Sequence, residues 1–171
     1  MRIIINYAFL FLLFFGLQVF VFNKLEIGYG ALIFFLPLFL MILPFDTNVF
    51  VLMLLGFFLG ISVDALSNTY GLNASSLVLF AYLRPMIFDF FRPREGYDPL
   101  KIPSARDMGW EWFAFVYGVL FLISLSWFCI WEIFSAREIL LVLRNIISSF
   151  FASSVVVVLS QLFVFNTRRN K

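Results

Sequence analysis

Histidine is missing from this chain altogether. Its absence removes the imidazole base of Ser-His and Cys-His nucleophiles, and with it His-ligated metal chemistry. Cysteine occurs once, as Cys129 between Phe128 and Ile130, so neither an intramolecular disulfide nor a Cys-rich zinc site can form. A lone thiol in that setting reads as buried and structural. Charge is almost as scarce. Charged residues make up 13% of the chain, about half the share usual in soluble domains, and the net charge is +2. So small a balance gives no reason to expect a nucleic-acid partner, and no cofactor is expected.

What fills the space is apolar. Of 171 residues 63% are hydrophobic, 26 of them phenylalanine, and the mean hydropathy is +1.02. A soluble domain of this size could not bury that much apolar surface. The composition reads as an all-α integral membrane protein. A bilayer core of about 30 Å takes roughly 20 apolar residues per helix. Six runs meet or approach that length: 3–22, 27–43, 49–66, 72–91, 110–131 and 143–165. Together they predict about six transmembrane helices in one compact bundle, with 1–171 forming a single membrane domain. The first run is too long for a signal-peptide core and lacks a small-residue cleavage pattern, so it reads as a retained helix. Pro37 is expected to kink the second span and Pro44 to close it. Trp110 and Trp112 at one end of the fifth, with Trp127 and Trp131 at the other, mark both interfaces of one crossing.

Orientation follows from Lys and Arg in the connecting segments. With the N-terminus inside, the cytoplasmic side holds Arg2, Arg92, Arg94, Lys101, Arg106, Arg168, Arg169 and Lys171, against Lys24, Arg137 and Arg144 opposite. Eight against three, with Arg84 set aside as intramembrane, places both termini in the cytoplasm. The loop 92–109 is then the one substantial cytoplasmic segment. Its Arg92, Arg94, Lys101 and Arg106 read equally as a contact surface for a partner or anionic lipid and as a topology signal.

The densest pattern is Gly56-Phe-Phe-Leu-Gly60-Ile-Ser-Val-Asp64, followed by a Ser67-Asn-Thr-Tyr-Gly71 turn and a second apolar run through Asn73 and Ala74. Gly56, Gly60 and Asp64 recur every fourth residue and so share one helix stripe. Two glycines on that stripe let a neighbouring helix approach closely. Asp64 needs partners near hydrocarbon. The backbone amides of the turn, with Ser67, Asn68, Thr69 and Asn73, can supply them as a hairpin cap; a ligand or ion site is the other reading. Paired-aspartate catalysis fails on distance, because Asp89 lies ~27 Å along the next helix from Gly71. A Ser-Lys dyad fails because every lysine lies outside the spans, so no enzyme is expected. Arg84-Pro85 marks a kink and an intramembrane charge, which either snorkels to the interface or donates to a carbonyl of a neighbouring helix. Asn145, Ser149 and Ser153 form another four-residue stripe, which reads as a face packed on protein or as a set of intrahelical hydroxyl bonds.

Gly60-Ile-Ser-Val-Asp64, Gly71-Leu-Asn-Ala74 and Ala81-Tyr-Leu83 resemble the middle of MreD, the rod shape-determining membrane protein family. The match covers about residues 56–85, and length, six apolar runs and a basic tail extend the likeness along the chain. The resemblance implies a non-enzymatic inner-membrane scaffold of the bacterial elongation machinery. It implies association with an MreC-like bitopic protein and, indirectly, with MreB, RodA and a penicillin-binding protein, within membrane lipid. Self-association as a homodimer stays open. The family is similar in fold to the substrate-binding subunits of energy-coupling-factor transporters, which supplies the alternative of a small-molecule-binding transporter subunit. Helix packing is assigned to Gly56, Gly60, Gly71 and Ala74, and the cap or polar site to Asp64 and Asn73.

Overall fold

In a computed structural model of the protein, residues 2–25, 32–93, 96–97, 102–133 and 139–164 are described. All of their regular structure is helical, with no strand among the described residues. Helix α1 (Arg2–Gly16) continues into a π-turn over Leu17–Val21 and a 3₁₀ turn over Phe22–Lys24. A five-residue α2 follows (Pro37–Met41), then α3 (Val49–Ser67), α4 (Leu72–Phe90), a short α5 (Ala105–Met108), α6 (Trp110–Ile133) and α7 (Ile139–Val164).

Among the described residues four stretches are long and apolar enough to cross a membrane: Tyr7–Lys24, Val49–Ser67, Trp110–Ile133 and Leu140–Leu162. Half of the third is buried inside the protein, which makes α6 the central one. Helix α4 has the length but less hydropathy, because Asn73, Ser75, Ser76, Arg84 and Asp89 lie along it. Asn73, Ser76 and Arg84 are buried, so α4 turns its polar residues toward protein between α3 and α6.

The second expected span takes a different form. Its residues 27–31 lie outside the described residues; of the remainder, 32–35 have no regular structure and helix is confined to Pro37–Met41. Pro37 opens that helix rather than kinking one, since its missing N–H falls where a helix has no partner for it. Yet Phe34–Leu43 is buried almost without interruption. Ahead of α2, Phe34 and Phe35 point to opposite sides. Phe34 packs toward α6, with ring centroids 5.7 Å from Phe128 and 6.3 Å from Phe121. Phe35 faces α1, stacked 4.8 Å from Phe14 and 5.3 Å from Phe22.

Helix ends follow their local chemistry. The Asn48 side chain accepts the Phe50 N–H and starts α3. Asn68 (φ 55°), Tyr70 (φ 45°) and Gly71 (φ 88°) take left-handed backbone through the α3–α4 turn. Tyr70 is 99% exposed, so its side chain takes no part in closing the turn. At the opposite end Phe45, Phe88, Tyr97 and Trp112 cluster, with Phe45 and Tyr97 stacked at 4.4 Å.

Candidate functional site

The α3–α4 hairpin is built around one close approach. A Cβ placed on Gly60 would overlap the Cα and amide nitrogen of Ala74 and lie 2.8 Å from the Asn73 carbonyl carbon. Only glycine fits. Gly56, one turn earlier, is looser: its Cβ would meet the Leu77 carbonyl oxygen at 3.1 Å and the Leu40 Cδ1 at 3.3 Å. Gly71 has no neighbour within 4 Å of such a Cβ; its positive φ, not packing, is what suits glycine there. Ala74 is buried directly against α3.

This contact brings the start of α4 to Asp64. One carboxylate oxygen accepts the Asn73 backbone N–H at 3.1 Å, the Asn73 side-chain amide at 2.9 Å and the Thr69 hydroxyl. The other accepts the Ala74 N–H at 2.9 Å. A helix begins with N–H groups that have no internal partner and with a partial positive charge, and a buried carboxylate answers both. Asn73 also donates to Thr69 at 3.0 Å, closing the ring of bonds. Asp64 therefore caps the helix after its own. Ser67, one of the anticipated partners, instead accepts from Asn23 of the turn following α1.

Arg84 stands at the other end of the molecule's polar interior and does the reverse. It does not run out to an interface; it is 1% exposed. One guanidinium nitrogen donates to the carbonyls of Met41 and Pro44, each at 3.3 Å, and to that of Leu43. These carbonyls lie where α2 ends, the end at which a cation is favoured, and that of Pro44 also accepts from the Thr47 hydroxyl at 2.8 Å. The guanidinium carbon lies 4.6 Å over the Phe88 ring, and Nε has no partner. Helix α4 passes through Pro85 without a break. Asp64 and Arg84 do not pair with each other. Each ties α4 to the end of a different helix.

The third polar set holds the non-helical crossing, and sequence reasoning did not foresee that use. Gln18, brought inward at the π-turn of α1, donates to the Ile33 carbonyl at 2.8 Å and accepts the Phe35 N–H at 3.0 Å. From the opposite side, Ser149 accepts the Leu32 N–H and Ser153 the Phe34 N–H, both at 2.9 Å. Ser153 also donates to the Leu32 carbonyl at 3.3 Å. Away from water an unpaired backbone group is costly, so non-helical chain persists there only if protein satisfies it. Alternate residues of the non-helical segment thus bond to α1 and to α7 in turn. The four-residue serine stripe was visible, but not what it faced. Ser62, Ser124 and Ser160 make only intrahelical hydroxyl–carbonyl bonds.

Of the basic loop residues, Arg92 is exposed and lies 3.9 Å from Asp89, and Arg106 is exposed on α5. Arg94 and Lys101 lie outside the described residues. Beside them Tyr97 donates to the Phe88 carbonyl at 2.6 Å, and burial among the aromatic rings pushes its phenol up from the ordinary value. Among the described residues no three potential metal-ligating side chains come together. No protein-family model, no curated protein and no solved structure matches this chain.

Proposed function

We propose that this chain is an MreD-like, non-enzymatic scaffold of the bacterial cell-elongation complex, a multi-pass protein of the inner membrane with both termini in the cytoplasm. In this reading six passages cross the bilayer: α1, the segment 32–43, α3, α4, α6 and α7. One observation carries it. The residues of the MreD resemblance, Gly60, Asp64, Gly71 and Ala74, form a single interlocked hairpin in which the tight contact and the cap depend on each other. A stiff hairpin of this kind is what a scaffold needs in order to present a fixed helical surface to another membrane protein. The intramembrane polar groups fit the same role. Asp64, Arg84, Gln18, Ser149 and Ser153 bond to the protein's own backbone, and the Asn73 side chain to Asp64 and Thr69. A transporter subunit would instead leave several of them free to bond a ligand in one cavity.

Affinity purification of the tagged protein in mild detergent, with mass spectrometry of what accompanies it, tests this. Recovery of an MreC-like bitopic protein with wall synthases is expected. Recovery of ATPase subunits or of a vitamin-sized ligand would replace the scaffold by the transporter subunit.

A further inference from the structure

A cavity of about 550 Å³ opens at the end of the bundle that carries the α3–α4 turn. That volume lies within the range of sites for small organic ligands, roughly 300–1,000 Å³. Phe22, Phe34, Leu66, Leu125 and Phe128 supply much of its wall. The amides that reach it are already engaged: Gln18 with the crossing segment, Asn73 with Asp64, and Asn23 with Ser67. Two charged side chains of opposite sign also line it, Lys24 from the end of α1 and Glu132 from the end of α6. Among the described residues neither forms an ion pair, with the other or with anything else. An apolar wall with a separate cation and anion suits a ligand that has an apolar body and a head carrying both charges.

The mouth indicates where such a ligand comes from. Phe20 (65% exposed), Leu66 (58%) and Leu25 (50%) line the cavity and are also open to the surroundings. In a membrane these side chains join the cavity to hydrocarbon, so an amphiphile can enter sideways with its head at the level of Lys24 and Glu132. We propose that the cavity holds one phospholipid whose headgroup bears a phosphate and a primary ammonium, the phosphate at Lys24 and the ammonium at Glu132. This rests on the membrane reading but not on the scaffold reading.

The test uses the full chain purified in mild detergent and offered equimolar phosphatidylethanolamine and phosphatidylglycerol, with bound lipid counted by native mass spectrometry. The wild type is expected to retain the ethanolamine lipid preferentially. Removing one charge-assisted contact in Glu132→Gln should lower that preference about tenfold and leave phosphatidylglycerol binding unchanged. Lys24→Gln should weaken both lipids. Both side chains are exposed at the rim, and unchanged thermal unfolding of each variant confirms that the fold is kept. Equal retention of the two lipids by the wild type, or an unchanged ratio in Glu132→Gln, overturns the proposal. Free phosphoethanolamine forms a separate arm: if it stabilises the protein as strongly as the lipid does, the occupant is a water-soluble zwitterion and the lipid assignment fails. Recovery of protein partners is read separately, so failure here leaves the scaffold reading standing.

Discussion

Replacing Gly60 by alanine adds one methyl group at the tightest point of the α3–α4 hairpin. The added carbon would sit 2.8 Å from the Asn73 carbonyl carbon, and the Ala74 backbone lies in its way as well. Carbon atoms prefer separations near 3.6 Å and the Ala74 Cα is nearer still, so α4 must withdraw by about 1 Å or more. Backbone atoms cannot rotate aside as a side chain would. The same withdrawal stretches the bonds from Asn73 and Ala74 to Asp64, now 3.1 and 2.9 Å, beyond the range in which they hold. Each is a bond to a charged group, worth about 1.5–3 kcal/mol. Alanine returns about 1 kcal/mol through helix propensity. The net expected loss is about 3 kcal/mol. At Gly56 the same change meets a carbonyl oxygen at 3.1 Å and the movable end of Leu40, so the effect should stay within about 1 kcal/mol. Denaturation by SDS, followed through tryptophan fluorescence in mixed micelles, measures both. The double variant Gly60→Ala, Ala74→Gly sharpens the comparison. It deletes the Ala74 methyl but none of the backbone atoms that obstruct Gly60, so no rescue is expected. A Gly60→Ala protein as stable as wild type, or a full rescue by Ala74→Gly, would refute the backbone-contact reasoning.

Three further changes probe the other polar groups. Arg84→Met keeps most of the stem but removes the donor to the Met41 and Leu43 carbonyls, leaving Pro44 its bonds from Thr47, and should cost about 3 kcal/mol in the same assay, with Arg84→Lys recovering part of it. A Met variant at wild-type stability would mean that burying the unpaired charge costs as much as its three bonds give. Ser153→Ala leaves the Phe34 N–H and Leu32 carbonyl unpaired and should cost about 2 kcal/mol, with faster amide exchange at Phe34. Ser160→Ala loses only an intrahelical bond and should be near neutral, so equal effects would sink the distinction. For Tyr97 the folded phenol titrates above its unfolded value, so its contribution is complete below about pH 10 and is lost as pH rises through the folded value. Tyr97→Phe should cost about 1 kcal/mol at neutral pH and flatten the alkaline fall in stability, as read from unfolding midpoints across pH.

The hairpin was the most legible part of the chain. Gly56, Gly60 and Asp64 at four-residue spacing define a stripe whatever surrounds them, and a turn of Asn, Thr and Gly fixes where it folds back. The paired tryptophans likewise framed α6. The segment 27–43 was harder to read for a physical reason. Hydropathy measures what a run of residues avoids, not which hydrogen bonds its backbone makes. Phe34–Leu43 is as buried as any helix, but its partners are Gln18 and Ser153, which lie outside any local window. Arg84 shows the same limit. Its depth and its proline neighbour could be read along α4, whereas the carbonyls that fix it belong to a helix end more than forty residues away.

The crossing held by Gln18, Ser149 and Ser153 also bears on how the chain is made. Synthesis runs from the N-terminus, so when residues 32–35 emerge Gln18 is already present. The serines follow 117 to 121 residues later. On the proposed membrane reading, the Leu32 and Phe34 amides have no permanent acceptor until α7 arrives and cannot rest in hydrocarbon alone. The segment must therefore wait at an interface, or beside an insertion factor, while α2 to α6 are completed. Its entry into the bundle is a late, non-local event. A chain cut short before Ser149 should insert its early helices and still lack a finished interior, which makes the last helix the step that commits the whole protein to its final form.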